Sequence, residues 1–194
     1  MPTSQQTVIV DQKGASAGGH VVAGNLTINS YPSPPTLLSS NIILKLLSKL
    51  RLEVETDARV QDTIDSLQHY DQRQARDGIV GLEAKLKAGG REAELYNAFD
   101  KKEQFAKLLD KWSLYASAQE IFAHLLAKVE TQFNMVIHPN MQKLDEVAIN
   151  QLIIERILIP TVAECGCDVI VLNDGIVLGM LYWLAERCFV RWHP

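Results

Sequence analysis

With 194 residues, 47% of them hydrophobic and 22% charged, the chain has material for one core with room for an appendage, and wholesale disorder is excluded. A net charge of −4 argues against direct nucleic-acid binding, which leans on a clustered basic surface; Lys45, Lys49 and Arg51 come nearest to one, and Glu53 and Glu55 follow at once. Its three cysteines, an odd number with no secretory leader ahead of them, fit reduced thiols in a cytoplasmic protein, and no segment offers the ~20 apolar residues of a membrane crossing.

Residues 1–30 read as a β-prone N-terminal arm. Thr7, Val8, Ile9 and Val10 form a β-branched run, and a Gly/Ala/Ser connector follows over 13–19. Two short strand-like runs then fill 21–28, with Gly24-Asn25 between them, a dipeptide suited to the positive φ angles of a hairpin turn. An isolated hairpin is marginal in water. The arm must therefore pack on the body or on another chain, and Val21, Val22, Leu26 and Ile28 are its interface candidates. Gly14 and Gly19 have the separation of a phosphate loop, but His20-Val21 stand where Lys and Ser/Thr belong. Residues 31–38 are a Pro-rich linker, since Pro32, Pro34 and Pro35 favour extended backbone and forbid helix.

Beyond the linker, 39–194 reads as an all-α body, a bundle of about six to seven helices. Ile42, Ile43, Leu46, Leu47, Leu50 and Val54 predict one face of a first helix. Val60, Ile64, Leu67 and Tyr70 predict a second, with Asp57 upstream as its cap. A short helix over 80–87 is stopped by Gly89-Gly90. Leu95, Phe99, Phe105, Leu108, Leu109 and Trp112 outline a longer one, and the chain either breaks at 113–117 or runs through. Ser117 and Glu120 fit a capping box for a helix buried through Phe122, Leu125, Leu126, Val129, Phe133 and Val136. It ends at His138-Pro139-Asn140.

Asp145 caps the next helix, whose Leu152, Ile153, Ile154, Ile157, Leu158 and Ile159 are apolar on more than one side and predict a central position. Pro160 should kink it and Gly166 end it. After a brief extended stretch over 168–172, Asn173 or Asp174 caps a last helix through Leu178, Leu181, Tyr182, Leu184 and Ala185 to Cys188.

Residue chemistry is sparse. Cys165-Gly166-Cys167 lacks the spacing and the second ligand pair of a structural zinc site, and Cys188 reads as core. The five histidines form no H-x₃-H or H-E-x-x-H pattern. His124 reads as a hydrogen-bonded boundary residue and His138 as a helix-end group. Carboxylate pairs fall at caps and on solvated faces. No catalytic residue, cofactor or metal is expected. The ending Phe189-Val190-Arg191-Trp192-His193 is too aromatic for a frayed tail; it packs back on the body or meets a partner, and Arg191 and Trp192 are of the types enriched at interface hot spots.

Several segments together carry a resemblance. They are Val60-Gln61-Asp62 with Leu67 and Tyr70, the run Asp77-Gly78-Ile79-Val80-Gly81-Leu82-Glu83, the run from Trp112 to Phe122, and the ending from Tyr182 to His193. These resemble, over about 40–194, the C-terminal domain of proteins from the ABC-three component conflict systems of bacteria, related to Lamassu-like phage defence. The resemblance implies an SMC-like ABC ATPase and a middle-component protein as partners, with the domain coupling an N-terminal effector to them. About thirty residues of arm are too few for an effector, so a stand-alone docking subunit or a separately encoded effector is expected. The reading is thus a non-enzymatic adaptor that also joins copies of itself through the arm. The rivals are a regulatory or antitoxin-like binder that silences an effector, and a small helical enzyme with a pocket near Cys165, Cys167 or His124.

Overall fold

Helical periodicity begins at Ser39, and among the described residues nothing replaces it: every regular element is a helix, and no strand occurs. The computed structural model describes residues 39–71, 77–165 and 169–193, all within the unit Pro34–Pro194. The arm, with Val21, Val22, Leu26 and Ile28, the Pro-rich segment, and Gly166 and Cys167 lie outside the described residues. The elements are α1 (Ser39–Glu55), α2 (Asp65–Gln68), α3 (Leu82–Ala88), α4 (Leu95–Trp112), α5 (Ala116–Gln132), α6 (Glu146–Ile153), α7 (Ile159–Cys165) and α8 (Asp174–Glu186). A π turn, Ile154–Leu158, joins α6 and α7 into one rod, so the described residues form seven helical rods.

Seven consecutive residues of α8, Gly179 to Ala185, are buried. Seven positions span about two turns, so this helix is surrounded on every side. The central position expected for the isoleucine-rich rod therefore belongs to α8. In α6–α7, Ile149, Ile153, Ile157 and Leu158 face inward, while Ile154 and Ile159 are 41% and 57% exposed. Glu155 and Arg156 in that rod hold one side of it to solvent, whereas α8 carries charge only at its ends, on Asp174 and Glu186. Against α8 lies α4. A Cβ on Gly179 would stand 2.2 Å from the Lys101 carbonyl oxygen and 2.9 Å from Phe105 Cβ, so only glycine admits this approach. Phe105 then reaches Phe122 of α5 and Trp183 of α8, edge to face at 6.0 and 5.8 Å.

On α1 the buried stripe is Ile43, Leu47 and Leu50 with Leu46 beside it; Ile42 and Val54, expected on that face, are 53% and 39% exposed. The helix stops at Asp57, whose φ of +51° is left-handed. The Ala58 N–H donates to the Glu53 carbonyl and the Asp57 N–H to that of Val54, at 2.8 and 3.3 Å, the bonding of a Schellman stop. Asp57 thus closes α1 and does not cap a second helix. The expected second helix shrinks to α2 and a 3-10 turn, His69–Asp71, though Leu67 and Tyr70 are buried as anticipated. The buried Gln119 amide shortens it: Oε1 accepts from the Ile64 N–H at 2.6 Å, and Nε2 donates to the Asp62 and Ser113 carbonyls at 3.2 and 2.6 Å. Residues 60–64 are thereby committed to a loop.

The chain breaks between α4 and α5, and the capping box expected there does not form. Tyr115 occupies the N-cap position with no side-chain bond, and Glu120 is exposed. Glu53 of α1 does the capping, accepting from the Ser117 N–H at 3.1 Å and the Ser117 hydroxyl at 2.9 Å. A carboxylate there also complements the positive end of the helix dipole. Local caps do form at Asp145 and Asn173, which accept from Ala148 and Ile176 N–H at 2.8 and 2.9 Å.

Two π turns widen the rods. One, Phe133–Ile137, extends α5 toward His138. The other precedes Pro160, and the rod continues through it to Cys165, next to the expected stop at Gly166; the widened turn accommodates a residue with no N–H to donate, and Lys128 Nζ donates to the Pro160 carbonyl at 3.0 Å. Cys188, expected inside α8, lies beyond its end at φ +68°.

Glu53→Ala should cost about 2 kcal/mol, since a half-buried charge-assisted cap is lost, while Glu120→Ala should stay within about 0.5 kcal/mol. Urea unfolding of the two variants checks this; equal costs would restore the local capping box.

Candidate functional site

The short helix α3 should place its apolar residues at 82, 85, 86 and 89, and position 85 is a lysine. Lys85 is 1% exposed. Its ammonium donates to the Ala185 carbonyl at 2.8 Å and the Val190 carbonyl at 2.9 Å. Those two oxygens flank the turn that ends α8. In that turn the Phe189 N–H donates to the Leu184 carbonyl and the Cys188 N–H to that of Ala185, at 2.9 and 3.1 Å. This is the Schellman pattern again, with Cys188 at the left-handed position that glycine favours. A second tie runs the other way: Glu186 accepts from the Leu82 N–H at 2.8 Å and pairs with Lys102 at 3.6 Å. So α3 has its first turn capped by α8 and a lysine from its buried face closing α8.

After this turn, residues 189–193 fold back over the body. Phe189 meets Tyr70 at 4.9 Å. Trp192, 1% exposed, stacks on Tyr182 at 5.7 Å and tilts against Phe133 at 5.2 Å. The Arg91 guanidinium lies 4.9 Å from its ring centre and pairs with Glu94 at 2.7 Å and with Asn150. A Cβ on Gly89 would stand 2.0 Å from the Trp192 carbonyl. Of the interface candidates in the tail, Trp192 is therefore buried within this domain, and Arg191 is exposed.

Between α3, the end of α5 and this tail lies a solvent-open polar cleft of about 250 Å³. Asp77 stands on one side. Its Oδ1 accepts from the Ile79 N–H at 3.1 Å, and its Oδ2 is 3.4 Å from His193 Nε2 and 3.9 Å from Arg191 Nε. Burial opposes ionisation of that carboxyl, but the Ile79 N–H, His193 and Lys85 together hold it below the usual range. Glu130 accepts from the Tyr70 hydroxyl at 3.2 Å, and Asn134 donates to the Phe189 carbonyl at 3.3 Å. His138 lines the cleft with Nε2 buried and without a hydrogen-bond partner. Burial and then Arg191 push its imidazole below the ordinary value. Burial likewise holds Lys85 below an ordinary lysine, against the pull of Cys188, Asp77 and Glu186. Cys188 completes the wall.

The sequence reading placed its rival pocket elsewhere. Cys165 is fully buried, and His124 Nε2 lies 3.1 Å from Glu164, whose buried carboxylate also pairs with Lys128. That cluster ties α5 to α7, and Cys167 lies outside the described residues. The cleft itself was missed, although a signal existed: a lysine on the buried stripe of α3. Among the described residues no group of three or more His, Cys, Asp or Glu is disposed to hold a metal ion, and no helix is long and apolar enough to cross a membrane.

The family model for C-terminal domain 9 of the ABC-three component (ABC-3C) systems matches residues 81–192. No curated protein and no solved structure shows a significant match. The matched span runs from the Gly81 turn before α3 to Trp192, so it takes in the cleft wall except Asp77, α4 to α8 and most of the packed tail; α1 and α2, which the resemblance also covered, lie outside it. The chain belongs to this family.

His138 sets an expectation for pH. Its folded pKa is lowered, so the unfolded chain takes up the proton first and stability falls as pH drops from about 6.5 through the folded value. His138→Gln should flatten that part of the acid limb in urea titrations between about pH 7 and pH 5; stability curves that run parallel to the unsubstituted chain would contradict it.

Proposed function

We propose that this ABC-three component domain is a non-enzymatic assembly subunit that docks an effector onto the ABC ATPase and middle component of a bacterial defence system. The observation that carries the reading is the family match over residues 81–192. The way the matched span is built supports it. Its helix ends are tied by long-range bonds, Leu82 to Glu186 and Lys85 to Ala185 and Val190, and its last aromatic is stacked into the core. A body held this way presents a fixed surface, and fixed surfaces associate at a lower ordering cost.

Tagged full chain, co-expressed with the ATPase and middle component of its own system, should elute with both as one complex in size-exclusion chromatography. Elution of the chain alone, with ATP and without it, would overturn the assembly role.

Self-association through the arm is the second element of the proposal. It rests on a β-prone segment with too little bulk to close on itself, with Val21, Val22, Leu26 and Ile28 as the contact residues. Light scattering should give the full chain a multiple of its 21.7 kDa mass, and a variant lacking residues 1–30 the mass of one chain. Equal states of association for the two would remove the arm from the account.

A further inference from the structure

The rod made by α6, its π turn and α7 carries apolar side chains on two sides, and only one of them is core. Ile149, Ile153, Ile157 and Leu158 face inward, while Val147 is 78% exposed and Ile154 and Ile159 are exposed with it. Val147 and Ile154 are seven residues apart, two turns of α-helix, and so share a face. Ile154 and Ile159 are five apart, which in an unbroken α-helix would turn them away from each other. The π turn prevents this: the Ile159 N–H donates to the Ile154 carbonyl, so the two stand one turn apart on the same side. Ala163, one turn further on, is exposed as well. The stripe from Val147 to Ala163 is thus about 24 Å long. Single apolar residues on a surface are ordinary, but a continuous exposed apolar face marks a contact.

The charge beside the stripe has one sign. The exposed charges within the rod are Glu146 and Glu155, which follow from helical spacing as its two flanks. Glu146 keeps most of its side chain in solvent, although Arg91 lies 3.8 Å away, and Glu155 accepts from the Gln151 amide at 2.7 Å. Arg156 lies two residues beyond Ile154, away from the stripe, and is half-buried. Lys128, reaching the rod from α5, is engaged by Glu164 and the Pro160 carbonyl. An apolar stripe at helical spacing with a carboxylate on each flank is complementary to an amphipathic helix with Lys or Arg beside its own apolar residues. The rod lies inside the matched span 81–192, whereas the arm assigned to self-association lies outside it.

We propose that the outer face of α6–α7 is the docking site for a basic-flanked amphipathic helix of another component of the three-component system. This rests on the assembly role and names the surface that performs it. Apolar contact along Val147, Ile154 and Ile159 supplies affinity, and Glu146 and Glu155 select the partner and fix how it lies.

The test uses the full chain co-expressed with the other components of its own system, with circular dichroism to verify that each variant is folded. The double variant Ile154→Lys, Ile159→Lys should weaken the complex at least tenfold, while Tyr96→Lys, at an 89% exposed position on α4, should leave it unchanged. Equal binding by these two variants would overturn the docking face and leave the assembly role standing; no complex from the unsubstituted chain would overturn both. Glu155→Lys should weaken the complex several-fold at low salt and converge on the unsubstituted chain at high salt, and equal binding at every salt concentration would overturn the basic partner. A lower mass for the isolated double variant than for the isolated unsubstituted chain, read by light scattering, would give the face to a second copy and likewise overturn the proposal. Should the double variant not fold, Val147→Lys gives the same readout from the most exposed position of the stripe.

Discussion

A helix without a polar face has one stable position, and the domain is arranged around that fact. From Gly179 to Ala185 every residue of α8 is buried, so the other helices are disposed as a jacket. The closest layer is α4, admitted by a glycine at 179 that lets backbone meet backbone. Phe105 then links that contact to α5 through Phe122 and to α8 through Trp183. A central helix also creates a polar problem, because its last carbonyls are carried into the interior, where an unsatisfied acceptor costs about 1–3 kcal/mol. Lys85 and the Schellman turn at Cys188 are the answer to it. Desolvating an ammonium is expensive, and Lys85 is tolerated because two backbone oxygens accept from it.

The same device recurs at lower cost elsewhere. Glu53 caps α5 from α1, and Glu186 caps α3 from α8. Gln119 holds two loops at once, through Ile64 on one side and Ser113 on the other. The bonds from Glu53, Glu186 and Ile64 join segments far apart in the chain, so those helix ends form only when the tertiary fold does. This makes the ends cooperative with the core, in contrast to a bundle whose helices are each capped from within.

That distinction explains what was legible in the sequence. Asp145, Asn173 and Gly89-Gly90 act on neighbours three to five residues away, and their roles follow from spacing alone. The core stripes of α5 and the all-helical class follow from periodicity. Ser117 and Glu120 have the capping-box spacing, yet a carboxylate 64 residues upstream in the chain outcompetes Glu120. Asp57 was legible as a helix boundary but was assigned to the wrong helix, since a left-handed stop and an N-cap favour the same residue type. The central helix was misassigned by counting isoleucines. Charge placement was the better guide, because Glu155 and Arg156 interrupt the α6–α7 rod and nothing charged interrupts α8 between its ends. The cleft left one trace, the lysine on the buried stripe of α3, and no more, because its walls come from positions 77, 85, 130, 138 and 188, which no local motif connects.

The tail shows why the cleft and the core cannot be treated separately. Residues 189–193 turn back at Cys188, and the turn needs a left-handed residue there, a position where a non-glycine side chain costs about 1–2 kcal/mol. Glycine would relieve that cost and leave the wall without a thiol. The cysteine instead puts a sulfur atom where the end of α8 and the route to Trp192 meet, in a wall shared with Lys85. A group bound in the cleft that draws on Lys85 must do so at the expense of the Ala185 or Val190 carbonyl. The physical connection from cleft to tail is therefore a competition for one ammonium, and the stacked Trp192 three residues beyond sets how firmly the tail resists it.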